Sequence, residues 1–327
     1  MHFQPTEDQR ALRRAVRELL AARWDRTALR AALDSPASRR SGEEAPARRA
    51  APASRGGDRG RGAGSREQGG STSSPLLDRE LWRVLGEAGV FSLRLPEADG
   101  GVGLGLADAA VVFEELGRAL VPGPVVATHL AAGLVPGAAT GETVVTAAAG
   151  ALVPWLDAAD VVRGEVVDAV AVRSVDPLTP LHRVRPAPPD PVGTLLTAAE
   201  QVGSAARTTE MAVRYAGERT QFGRPIGGFQ AVKHLCAGML VRAELARTAV
   251  YAAAVTADPV ETAGAKLLAD EAAAGNARDC LQIFGGMGFT WEADVHLHLK
   301  RAWLRAEMWL TADRAEEIQA EALALAL

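Results

Sequence analysis

The sequence predicts a mainly α-helical protein with a small β region near its middle. Apolar residues recur at helical spacing in long segments at both ends of the 327-residue chain, and a Val-rich, Pro-dense stretch separates these segments. The hydrophobic content of 48% is sufficient for a substantial core. These observations favour one unit with a helical first part, a β middle and a helical bundle at the end.

The first predicted segment, residues 1–34, is a helix. Thr6 followed by Gln9 resembles a capping box, which satisfies backbone amides at the start of a helix. The apolar residues that follow lie on one helical face. They are Leu12, Val16, Leu19 and Leu20.

Residues 35–76 are predicted to form a disordered insertion. From about Ser35 to Ser74 the chain consists mostly of Arg, Gly, Ser, Pro and Ala and lacks aromatic and large aliphatic residues. Such a segment cannot bury enough apolar surface to offset the entropy of ordering. Acidic residues dilute its arginines and no aromatic side chains are interleaved with them, which favours a solvated linker over a nucleic-acid contact.

Three further segments complete the predicted organisation. Residues 77–138 resume helical spacing and form the rest of an amino-terminal helical domain. Residues 139–192 carry the Val-rich pieces and the prolines of a small β region. Residues 193–327 are helical to the end and predict a four-helix bundle. The breaks between its four segments fall near Gly223–Gly228, Asp258–Pro259 and Gly285–Gly288.

Composition and charge exclude several classes of protein. The formal net charge of −4 offers no electrostatic footprint for nucleic acid. The amino terminus lacks the pattern of a signal peptide, and the longest apolar stretch, Val144–Leu156, is interrupted by Pro154 and too short to span lipid. We therefore expect a cytoplasmic protein with no membrane partner.

The cysteines and histidines do not predict a metal site. Cys236 and Cys280 are the only cysteines and lack metal-type spacing, which favours two buried thiols. His296 and His298 are two residues apart on a predicted helix and point to different sides, so paired ligation is disfavoured. We expect both histidines at the surface or at an interface.

The segment with the most chemical information is Glu218–His234, which reads ERTQFGRPIGGFQAVKH. One helix ends here in a basic, glycine-rich turn and another begins. Arg219 can fork two hydrogen bonds onto a phosphate group, and Gln230 offers a donor and an acceptor to a nucleobase. Spacing alone leaves open an ordinary corner between helices with a surface arginine.

This run resembles the R-x-x-F-G-x-x-[IL]-x-x-[FH]-Q signature of the acyl-CoA dehydrogenase family at every defined position. A second run, QIFGGMGF at Gln282–Phe289, is similar to the family's Q-x-x-G-G-x-G-[FY] turn. The resemblance implies an amino-terminal helical domain, a β middle domain, here abbreviated, and a carboxyl-terminal four-helix bundle. It also implies FAD as cofactor, with the adenosine side held across a subunit boundary. The residues that take these roles by resemblance are Arg219, Phe222, Gln230, Gln282, Gly285 and Gly286.

The catalytic carboxylate that the family's reaction needs is absent from both family positions. In the commonest subtype, a gapless count from Gly285 reaches Trp309, and in the isovaleryl-type arrangement a count back from Arg219 reaches Gly193. Nearby acids are Glu200, Glu292 and Glu307. Each also fits a structural role, Glu292 near a helix start and the other two as solvated or paired bundle residues. Glu307 is the first candidate for a displaced base.

The shortness of the chain and the missing base resemble the short partner subunits of actinobacterial α2β2 acyl-CoA dehydrogenases. In those enzymes, which act on CoA thioesters of steroid side chains, the partner supplies the base. The family segments that hold the flavin ring are also missing from the middle region. We therefore predict the non-base subunit of a heteromeric, FAD-dependent acyl-CoA dehydrogenase. Its implied partners are an acyl-CoA, a homologous subunit and an electron-transfer flavoprotein as acceptor.

Two main alternatives remain open at this point. One is a self-sufficient homomeric dehydrogenase whose displaced base is Glu307. The other is a catalytically silent scaffold that binds CoA ligands or a partner, and a flavoprotein with different chemistry is a weaker possibility because fold does not determine reaction. The residues leave open the acyl chain, the identity of the partner and the role of the insertion.

Overall fold

The computed structural model describes residues 5–34 and 77–326. It begins with two helices. Helix α1 spans Glu7–Arg23 and helix α2 spans Arg26–Asp34. The predicted capping box is present, since the Thr6 hydroxyl accepts from the Gln9 amide and the Gln9 side chain accepts from the Thr6 amide. The predicted insertion at residues 35–76 lies outside the described residues.

Three helices follow in the amino-terminal part. Helix α3 spans Arg79–Glu87, α4 spans Leu106–Arg118 and α5 spans Val125–Ala131. The Asp78 carboxylate caps α3 by accepting from two backbone amides of its first turn. In the glycine-rich turn before α4, a Cβ added to Gly101 would lie 2.1 Å from the carbonyl oxygen of Leu95. This turn therefore requires glycine for the close approach of two backbone segments.

The middle of the chain contains five strands of three residues each. Strand β1 spans Val145–Ala147, β2 Leu152–Pro154, β3 Val161–Arg163, β4 Val170–Val172 and β5 Leu181–Arg183. Strand β1 pairs in parallel with β3, and β5 lies between β2 and β4 in an antiparallel sheet. These strands thus form two small sheets.

Five helices form the carboxyl-terminal part. Helix α6 spans Pro191–Glu218, α7 Gln230–Thr256, α8 Pro259–Phe284, α9 Val295–Ala306 and α10 Ala312–Ala326. Sequence periodicity predicts four helical segments here, and the last of them is in fact two helices. The helix is interrupted between Glu307 and Thr311. Trp309 has a left-handed backbone conformation there, and a right-handed helix cannot continue through it. The mainly α-helical class is confirmed.

The long helices begin with matching sequence signals. Asp190 caps α6 through a 2.9 Å bond from the Gly193 amide, and Asp258 caps α8. A proline follows each aspartate at the first helical position, where the missing amide hydrogen has no cost. In the described part of the chain, no helix combines the length and apolar character needed to cross a bilayer.

Helices α4 and α6 cross at very short distance. A Cβ added to Gly203 would lie 1.8 Å from the carbonyl oxygen of Glu114, and one added to Gly117 would lie 2.0 Å from that of Glu200. Each helix therefore offers a glycine to the backbone of the other. This crossing joins the amino-terminal helices to the bundle.

Candidate functional site: two turns at one end of helix α6 and a tryptophan over a glycine at the other

A tight hairpin follows the carboxyl end of α6. Thr220 pairs with Pro225 and Gln221 with Arg224 in antiparallel register, as strands β6 (Thr220–Gln221) and β7 (Arg224–Pro225). The two residues at the tip, Phe222 and Gly223, both have positive φ, 52° and 79°, as a primed two-residue turn requires. The motif therefore folds into a hairpin that stands out from the bundle.

The hairpin presents an aromatic ring and a cation to the outside. The Phe222 side chain is 92% exposed and meets Phe229 edge to face, with 6.0 Å between ring centroids. The Arg224 guanidinium lies 4.2 Å from the centroid of the Phe229 ring. Arg219 and Gln230, the two sequence-predicted nucleotide contacts, are also exposed and lie on either side of this hairpin. Their polar groups are available to a ligand or subunit outside the chain.

The second turn follows the carboxyl end of α8. Gly285 has φ 58° and ψ −138°, a conformation open essentially to glycine alone. A Cβ placed on Gly285 or Gly286 would meet no atom within 4 Å, so the backbone of this turn has an open face. Gln282, on the last turn of α8, is exposed. A ligand can approach the main chain here without displacing any side chain of residues 5–34 and 77–326.

Two aromatic side chains connect the turns. The rings of Tyr215 and Phe284 stack with 4.1 Å between centroids and 16° between planes. The Tyr215 carbonyl accepts a 2.8 Å bond from the Arg219 amide, and Phe284 directly precedes Gly285. The structure thus brings both sequence motifs to one end of the bundle. Sequence reasoning does not single out this pair, although Tyr215 lies one helical turn before the first motif and Phe284 lies inside the second.

Both positions at which the resemblance expects a carboxylate lie at the amino end of α6. One belongs to this helix, and the other follows α9. Gly193 lies in the first turn of α6, and the ring of Trp309 covers it so closely that a Cβ on Gly193 would be 2.7 Å from the indole Cε3 atom. Trp309 is only 6% exposed. The two positions, 116 residues apart by number (309 − 193), are therefore in direct contact and are filled by an apolar ring.

The nearby acids occupy different surroundings. Glu200 is 4% exposed and accepts a 2.5 Å bond from Arg305, so it is a paired bundle residue. Burial raises the pKa of Glu200, and the positive charges of Arg305 and Arg301 oppose that shift. Glu307 and Glu292 are exposed. Neither exposed acid has the dry surroundings that a carbon-acid base requires.

The expectation that His298 lies at the surface or at an interface is wrong, because this residue is buried within its own chain. His298 is 3% exposed and its Nδ1 atom lies 2.8 Å from the Ser204 hydroxyl oxygen on α6. Burial holds the pKa of His298 well below its ordinary value, and neighbouring arginines lower it further. The two-residue spacing of the histidines suggests that at least one of them faces solvent. Helix α9 is instead buried over most of its circumference. His296 is half-buried and stacks on Trp291 with 4.9 Å between centroids.

The fold and both motifs define a class of protein. The family model for the acyl-CoA dehydrogenase carboxyl-terminal domain matches residues 192–327, and the model for the amino-terminal domain of the same family matches residues 71–142. The chain belongs to the acyl-CoA dehydrogenase family. Members of this family are oxidoreductases that act on CH–CH bonds.

Proteins similar to this chain include two relatives named IpdE2 and one solved complex. The chain is 42% identical over 258 residues to acyl-CoA dehydrogenase IpdE2 of Mycobacterium tuberculosis, a match that covers 69% of this chain and 80% of the relative. It is 36% identical over 254 residues to IpdE2 of Mycolicibacterium smegmatis, with 69% and 82% covered. Among solved structures, the ChsE4-ChsE5 complex from Mycobacterium tuberculosis has a TM-score of 0.75 at 21% identity, with 99% of each chain covered.

Proposed function

We propose that this chain is the non-base subunit of a heteromeric, FAD-dependent acyl-CoA dehydrogenase. The observation that carries the proposal is the contact between Gly193 and Trp309, because it leaves no space and no carboxylate at either family base position. The open turns at the opposite end of α6 support a role in binding instead. The chain supplies part of a cofactor site, and a homologous subunit supplies the catalytic base.

The residues of the two turns fit the adenosine half of FAD. Gly285 and Gly286 expose main chain to an approaching ligand, and Arg219 offers the forked donor that a pyrophosphate accepts. Gln230 and Gln282 offer amide donors and acceptors. Phe222 at the hairpin tip provides exposed apolar surface beside them. All of these groups face away from their own chain, which agrees with a cofactor seated in the neighbouring subunit.

The chemistry divides between the two subunits. Bound FAD would supply the acceptor for the β-hydrogen, which leaves the acyl thioester as hydride. A carboxylate of the partner would remove the α-proton, and a C=C bond would form between the two carbons. The residues of this chain orient the adenosine half and hold the hairpin against the partner. An electron-transfer flavoprotein would take up the electrons.

Relatives support the substrate class. A structural neighbour with a TM-score of 0.75 is described as a steroid acyl-CoA dehydrogenase of two chains, and the ChsE4-ChsE5 neighbour is also a complex. These likenesses are 22% and 21% identical and show the fold. The steroid neighbour favours a CoA thioester of a bulky, steroid-derived acyl group as the substrate of the complex. The IpdE2 relatives, which are named acyl-CoA dehydrogenases, agree with a CoA thioester.

Co-expression tests the proposal. The chain is produced alone and together with an adjacent acyl-CoA dehydrogenase-like gene, and FAD per protomer is measured from the flavin absorbance of each preparation. We expect one FAD per pair of unlike chains, little FAD in the isolated chain, and acyl-CoA turnover only by the pair. Full flavin loading with turnover by the isolated chain would overturn the proposal and favour a homomeric enzyme. Colourless protein in both preparations would favour a silent scaffold.

A further inference from the structure

Trp309 lies between α9 and α10 in an unusual conformation. Its φ angle is 65°, a left-handed value that bulky side chains rarely adopt. The chain nevertheless buries this residue to 6% exposure, with its ring on Gly193 and its backbone 3.8 Å from where a Cβ on Gly150 would lie. Gly193 thus makes room for the indole, and Gly150 is in ordinary van der Waals contact with the backbone of the same residue. Such an arrangement points to a defined task for the ring.

Two cavities share Trp309 as a wall. The outer cavity has a volume of about 400 Å³ and lies between the β region and the start of α6, with Arg163, Arg185 and Asp190 in its lining. The inner cavity has a volume of about 40 Å³. Trp309 and Ala147 are the residues that line both. The indole therefore stands at the boundary between a roomy outer space and a small inner one.

The inner cavity is too small for an acyl group. A cavity needs roughly 10–15 Å³ of this kind of volume to hold one water molecule, so about 40 Å³ holds a few waters at most. Its walls include Trp155 and the buried side chains of Glu200, Arg301 and Arg305. Arg301 pairs with Asp176 and Arg305 with Glu200, so the charges of this wall are already neutralised within the chain.

We propose that Trp309 is an internal plug, which fills with its own indole the space where an acyl group would otherwise reach the interior of this chain. The indole Nε1 atom is buried without a hydrogen-bond partner among the described residues, although a buried Trp N–H usually has one, so packing rather than a hydrogen bond within the chain holds the ring. The nature of the excluded ligand, an acyl thioester, rests on the proposed function. The plug itself rests on the geometry alone.

The first test removes the plug. Trp309→Gly suits the left-handed backbone and joins the two cavities across the vacated indole volume. We expect a fall of about 5–10 °C in the midpoint of thermal unfolding. Added indole should restore much of that loss in the variant and bind to it in calorimetry, while it leaves the wild-type chain unchanged. Trp303→Ala, at a position 41% exposed on α9, is the matched control and should gain no indole binding.

Two results would overturn the plug. One is a Trp309→Gly chain that folds but neither binds indole nor recovers stability with it. The other is stoichiometric binding of butyryl-CoA by the isolated wild-type chain, since a plugged interior has no room for the acyl group. Neither result bears on flavin loading by the pair of unlike chains, so failure of the plug and failure of the proposed function are distinguishable.

A second variant covers the case in which Trp309→Gly does not fold. Gly193→Ala places a methyl group 2.7 Å from the indole and should lower the unfolding midpoint of the wild-type chain. Trp309→Leu shortens the side chain, and in that background Gly193→Ala should be nearly neutral, because the clash is gone. An equal cost of Gly193→Ala in both backgrounds would mean that the ring does not rest on Gly193 and would contradict the proposal.

Discussion

The two ends of helix α6 use glycine in opposite ways. At the carboxyl end, Gly285 and Gly286 of the adjacent turn face open space, and the ring of Phe222 is 92% exposed. At the amino end, the space above Gly193 is filled by Trp309, which is 6% exposed. Glycine leaves room for an outside group in the first case and for a side chain of the same chain in the second. The difference separates a binding surface from a closed interior.

Breaking the ion pair behind the closed end should have the largest effect. Glu200→Leu leaves the Arg305 guanidinium, which is 4% exposed, without its carboxylate. We expect a loss of about 3–5 kcal/mol in the free energy of unfolding, measured by urea titration. Glu307→Leu, at an exposed position at the end of α9, should change the same quantity by less than about 0.5 kcal/mol. Equal effects of the two variants would mean that the closed end is solvated.

Substitutions at the open end should change ligand binding rather than the stability of the fold. In the complex of unlike chains, Arg219→Ala should raise the Kd for FAD by about 10- to 100-fold, because a charge-assisted pair of hydrogen bonds to phosphate is removed. Arg214→Ala is the matched control, since Arg214 lies on the last turns of the same helix, is exposed and already pairs with Glu218. An unchanged Kd in the Arg219 variant would remove this arginine from the cofactor site.

Acid should weaken the bundle through His298, which lies between the two ends. Its folded pKa is below the unfolded value of about 6.5, so the unfolded chain binds the proton first. The stabilisation that comes from keeping His298 neutral is fully present above pH 6.5. As the pH falls below that value, the free energy of unfolding decreases by at most about 1.4 kcal/mol per pH unit. Urea titrations between pH 7 and 5 should show a shallower pH dependence for His298→Gln than for wild type. His234→Gln, at an exposed position on α7, should retain the wild-type dependence.

Local patterns predicted much of the fold. The Thr6 capping box acts over one helical turn, so its hydrogen bonds depend on neighbouring residues alone. The exposed state of Arg219 and Gln230 also follows from a polar turn at a helix end. Local patterns did not predict that the last helical segment is divided into α9 and α10, because Glu307–Thr311 has no proline or glycine to mark a break.

Residue types at short and regular spacing are enough to predict the helical class, the family and the two glycine turns. How these parts meet follows from packing in the folded chain. It stacked Tyr215 on Phe284, buried His298 against Ser204, and placed Trp309 over Gly193. These contacts join residues far apart in the chain, and at Trp309 the geometry depends on how closely Gly193 lets the ring approach. Spacing along the sequence does not record that distance, which is why the closed interior appears only in the folded chain.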